Sequence, residues 1–132
     1  MGSKNRIFLG RITNIMNHIF KNTFEKDVYM TDATAKKIEE KHPPLDKEYI
    51  YNHNFQIIID NTIMIYPDNK KDKLIYNCLS KVDGRFFIYG MISKGKRTEI
   101  STLFIGKPNQ IKKRFFENEN TRRIKKELFQ LN

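Results

Sequence analysis

Between Ile7 and Phe24 the apolar residues Phe8, Ile12, Ile15, Met16, Ile19 and Phe20 recur at intervals of three and four, with Arg11, Asn14, Asn17 and Lys21 between them. That period predicts an amphipathic helix packing one stripe on a core. Val28-Tyr29-Met30 reads as a short strand. Asp32 is placed to cap a helix through Ala35 and Ile38 to Lys41, which Pro43 and Pro44 stop. A further helix is expected from Asp46 through Tyr49, Ile50 and His53 to Ile58, although the run FQIII alone would also suit a buried strand.

From Thr62 onward the pattern becomes strand-like, in the segments TIMIYP, KLIYNCLSKV, RFFIYGMISK and TEISTLFIGK. The polar stretch PDNKKDK, the pair Asp83-Gly84 and the turn Lys94-Gly95-Lys96-Arg97 separate them, which predicts an antiparallel meander. After Gly106 and Pro108 a short closing helix is expected over Ile111, Phe115 and Phe116. The expected class is α+β, N-terminal helices packed on a four-stranded antiparallel sheet. One domain is expected, made of an N-terminal helix (1–27), a core (28–116) and a basic tail or helix (117–132).

Charge changes the picture next. The 132 residues carry 25 Lys and Arg against 15 Asp and Glu, a formal charge of +10. Such an excess asks for a polyanion, nucleic acid before an anionic membrane surface. No stretch approaches the roughly 20 apolar residues of a spanning helix, so no membrane partner is expected. Cys78 is the only cysteine, which excludes an internal disulfide and points to a reducing, cytoplasmic site of action. No zinc, calcium or P-loop template occurs, so neither metal nor cofactor is expected.

Side chains alone can cut RNA: one group takes the 2′-hydroxyl proton, another protonates the leaving oxygen, and cations stabilise the phosphorane. His42 is the leading acid or base, because it is expected in a loop at a helix end. His53 is expected to be structural and buried. Lys94, Lys96 and Arg97 crowd one turn and form a candidate phosphate clamp, with Lys41 beside His42. Strand alternation lets only one of Ser101 and Thr102 face a shared cleft. Tyr76 and Tyr89 are the sheet aromatics expected near a wet surface, where they could stack unpaired bases.

The succession VYMTDATAKKIEEKHP, then TIMIYPD, then TEISTLFIG resembles the phage-associated nuclease superfamily of barnase, EndoU, colicin and RelE-like domains over about residues 28 to 116. The resemblance implies a metal-independent ribonuclease fold found in toxins and mobile elements. Lys41 and His42 match its histidine motif, Pro67 and Asp68 its Pro-Asp turn, and Thr102 or Ser101 its late-strand hydroxyl. The expected function is therefore a metal-independent endoribonuclease, a toxin or phage-associated hydrolase, with His42, Arg97, Thr102 and Ser101 catalytic. Lys41, Lys94, Lys96, Tyr89 and Tyr76 would bind substrate. Expected partners are RNA, tRNA among the candidates, and a cognate inhibitor or immunity protein. The rivals are a non-catalytic RNA-binding module and a phage-associated interaction protein whose charge is incidental.

Overall fold

The computed structural model describes residues 5–21, 24–70, 73–94 and 97–124. Among the described residues, seven strands, numbered β1 to β7 in chain order, form one mixed sheet in the order β1-β2-β6-β5-β4-β3-β7. Its centre is the antiparallel meander of β3 (Thr62–Lys70), β4 (Lys73–Val82), β5 (Arg85–Lys94) and β6 (Arg97–Ile105). The expected four-stranded antiparallel sheet is overturned, because β2 (Asp27–Thr31) joins β6 in parallel and β1 (Arg6–Arg11) pairs with β2. At the opposite edge the two-residue β7 (Arg122–Arg123) pairs with β3, while the tail from residue 125 lies outside the described residues.

The N-terminal helix is overturned as well. Residues Arg6 to Arg11 are strand, and only Asn14–Ile19 forms a helix (α1). Phe8 and Ile12 satisfy an i, i+4 spacing, but Ile7 and Leu9 also satisfy a period of two, and pairing with β2 decides between them. Gly10 seals the outcome with φ +149, a conformation that rejects a Cβ. A Cβ there would also strike Gln56, whose amide accepts from Arg11 N at 2.7 Å and donates to Arg11 O at 2.9 Å.

Helix α2 (Asp32–Lys41) is capped by Thr31, one residue before the predicted cap. The Thr31 hydroxyl accepts from Thr34 N, and Asp32 falls in the first turn. The helix expected from Asp46 to Ile58 is two pieces, a π-helical segment Asp46–Tyr51 and α3 (Phe55–Asp60). They are divided where His53 takes φ +57. His53 is exposed, against the expectation of burial. The closing helix is α4 (Pro108–Ile111) continuing into a π-helical turn, Lys112–Phe116.

These helices are distributed unequally over the sheet. On one face Met16, Phe20, Ile38, Ile50, Phe55 and Ile58 pack against Cys78, Phe87, Tyr89, Met91 and Leu103. On the other, Ile111 and Phe115 cover Met64, Tyr66, Leu79 and Ile88. Strand β6 has two distinct ends, one where it finishes near α2 and one where it begins at Arg97, opposite Lys94 of β5.

Candidate functional site

Helix α2 ends because the residues after it are prolines. The last turn closes with His42 N donating to Ile38 O at 2.8 Å, and the chain reverses through the cis Pro43-Pro44 bond as Leu45 N donates to His42 O at 3.0 Å. Strand β2 pairs with β6 only at Thr98 and Glu99, so α2 lies alongside the remainder of β6. Its end brings the His42 ring to 5.8 Å from the Phe104 ring.

There His42 lines a pocket of about 270 Å³ with Lys41, Pro43, Pro44, Leu45, Arg85 and Ile105. Arg85 is the second cation, and it is held in place. Its Nη2 donates to Glu48 Oε2 at 3.0 Å and to Tyr49 Oη at 2.7 Å, and the guanidinium stands 5.1 Å from the Phe87 ring centroid. The Glu48 hydrogen bond pushes the Arg85 pKa above its ordinary value, so its charge is permanent. Sequence reading missed Arg85. The only local signal was an arginine opening the strand after Asp83-Gly84, whereas its partners lie 36 and 37 residues earlier.

The clamp predicted at the β5–β6 turn lies elsewhere. Strand β6 separates Arg97 from Phe104 by seven residues, about 23 Å at the usual rise. Lys94 and Arg97 therefore do not face His42. Lys94 Nζ sits 3.7 Å from Glu99 Oε1, and Arg6 Nε lies 3.5 Å from Glu99 Oε2 without hydrogen-bond geometry. Glu99 is 5 % exposed, so these cations neutralise a buried carboxylate. Lys96 lies outside the described residues.

Ser101 and Thr102 occupy a third place. The register of β5 against β6 slips between Gly90 and Met91, which leaves Ser101 as an extra residue. This bulge defeats the expected alternation: a Cβ on Gly90 would lie 2.8 Å from Ser101 Oγ and 3.3 Å from Thr102 Cγ2. Both side chains thus approach the same side of Gly90, with Asn77 Oδ1 at 3.9 Å from that position. Asn77 in turn donates to Asp68 at 3.4 Å. Neither hydroxyl residue lines the His42 pocket. Along β6, Phe104 follows them before Ile105 of the pocket, with the Arg114 guanidinium 5.4 Å from its ring centroid. Burial pushes the Tyr66 phenol on this face up, with Arg114 opposing and Asp68 adding to the rise.

The two tyrosines separate. Tyr89 is fully buried, its hydroxyl 2.7 Å from Thr62 Oγ1, so it cannot meet substrate as expected. Tyr76 is only partly buried and lines a larger cavity on the α1 side of the sheet.

No family model matches the chain, and no curated protein or solved structure matches it.

Proposed function

We propose that the chain is a metal-independent endoribonuclease centred on His42. The observation that carries this reading is the meeting of an imidazole with two cations, Lys41 and the anchored Arg85, in one pocket. A phosphodiester entering it would place its non-bridging oxygens against Lys41 and Arg85, a planar fork suited to that geometry. His42 takes the proton of the 2′-hydroxyl, which forms a bond to phosphorus as the bond to the 5′-oxygen breaks. The departing oxygen takes a proton from solvent, leaving a 2′,3′-cyclic phosphate and a 5′-hydroxyl. The string Lys41-His42-Pro43 that resembles the nuclease superfamily supplies two of the three groups. Ser101 and Thr102 act, in this reading, on the strand beyond Phe104 and not on the reacting phosphate.

The test is incubation of the full chain with total RNA and excess chelator. Fragments with cyclic phosphate ends are expected, and His42→Ala is expected to slow their appearance by about 10²-fold. Intact RNA that binds with a steep salt dependence would overturn cleavage and leave a non-catalytic binding module.

A further inference from the structure

A cavity of about 510 Å³ lies far from His42, between the end of α1, strands β3 and β4, and the segment before β7. Its volume falls inside the range of small-molecule sites. Tyr76 and Pro67 face each other across the β3–β4 ladder, and Ile19 adds to this apolar wall. The Tyr76 ring is backed by Phe20, at 4.3 Å between centroids, and by Phe24 at 5.4 Å, so it is held as a fixed flat surface. Two cations line the same space, Lys21 and Arg122, with one carboxylate, Glu119.

Two further observations point to a ligand. The Thr121 hydroxyl, on a residue lining the cavity, is buried without a hydrogen-bond partner, an arrangement that ordinarily costs stability. Lys21 takes φ +55 immediately after the end of α1, a position where glycine is the favoured residue. A lysine kept in the left-handed region sets an ammonium at the cavity at the expense of backbone ease.

We propose that this cavity is a nucleotide-binding site, with a base lying on Tyr76 and a phosphate between Lys21 and Arg122. The flat surface asks for a planar ring, the cation pair for an anion, and the Thr121 hydroxyl for a polar group between them. In an RNA this would seat a nucleotide remote from the cleaved bond. Tyr76 stands opposite Met91 and Arg85 opens β5, six residues or about 20 Å along the strand. The site rests on the RNA reading only for the source of its ligand and needs no catalysis.

The experiment titrates the full chain with adenosine 5′-monophosphate, adenosine, ribose 5-phosphate and inorganic phosphate, following backbone amide shifts by NMR. The monophosphate is expected to bind at least tenfold more tightly than the other three, with shifts at Tyr76, Thr121 and Arg122. Arg122→Gln is expected to weaken it about tenfold. Lys21→Gly is expected to weaken it similarly while raising Tm, a pairing that a merely structural lysine would not give. Equal binding of ribose 5-phosphate or phosphate would overturn the nucleotide assignment. Absent binding, or affinity unchanged in the Lys21→Gly, Arg122→Gln double variant, would overturn the site. His42→Ala is expected to bind the monophosphate normally, so a chain that never cleaves RNA can still pass this test.

Discussion

The two ends of β6 carry basic residues of similar kind, yet they are built for different work. At the end near Ile105, Lys41 and Arg85 share a pocket with His42, and the Arg85 anchors, Glu48 and Tyr49, sit on the neighbouring helical segment. At the Arg97 end, Lys94 and Arg6 converge on Glu99, a carboxylate 5 % exposed. At one end Arg85 shares its charge with the half-exposed Glu48 and still lines the pocket of a group able to move protons, whereas at the other both cations face a buried carboxylate. Counting cations in a turn therefore measures little. What decides is whether they are presented toward a ligand or toward a buried acid.

The largest expected effect tests the first half of that contrast. His42→Ala should lower RNA cleavage about 10²-fold, while Arg97→Ala should lower it less than tenfold, both read from initial rates in chelator. Equal losses would show that the two ends form one functional unit despite their separation. Next comes Arg6→Met, which removes one of the two cations that, among the described residues, pair with the buried Glu99 and leaves the more exposed Lys94. It should cost about 1–3 kcal/mol in a urea unfolding experiment and leave the cleavage rate of the folded protein unchanged. A variant as stable as the parent would mean that Glu99 does not need its arginine.

Between the ends lies a sealed stretch that neither uses. Burial pushes the Cys78 thiol from 9.0 up to about 12 and holds the Tyr89 phenol well above its ordinary value. Both are acids whose folded form keeps the proton, so above the ordinary thiol value the unfolded chain releases a proton that the folded chain retains. Stability is then fully present below about pH 9 and falls as pH rises toward about 12, by about 1.4 kcal/mol per pH unit for the thiol. Urea midpoints across that window should show the decline, and Cys78→Ala should make it shallower, leaving the part due to Tyr89. A flat profile in the parent would place the thiol in contact with water.

How much of this could be read in the chain differs residue by residue. His42 at a helix end was legible because Pro43 and Pro44 act locally, through fixed φ and absent donors. The four central strands were legible because their alternation and turn residues are also local. Strand β1 was hidden because Phe8 and Ile12 fit both periods, and only pairing with β2 chooses. The bulge at Ser101 carries no signature in its own residues and follows from the slip against Gly90. Tyr76 and Tyr89 look alike in alternation, yet one reaches a cavity and the other the Thr62 hydroxyl, a difference made by α1 and α3 packing on β4 and β5. Arg85 joined the site through contacts 36 and 37 residues away, which no local pattern encodes.

The smallest effect is the sharpest discriminator between the ends. A cation that touches RNA phosphate contributes about 0.7 to the slope of log affinity against log salt on a single strand. Arg85→Gln should reduce that slope by about 0.7 and also slow cleavage, since its guanidinium shares the pocket of His42. Arg97→Gln, on an exposed residue at the far end, should reduce the slope alone if RNA runs the length of β6. It should change nothing if RNA ends at Phe104. Lys94→Gln is expected to leave the slope unchanged, because its ammonium faces Glu99 at 3.7 Å. A full phosphate's worth of slope lost there would show that the ion pair opens to receive RNA, and the two ends would then differ in degree and not in kind.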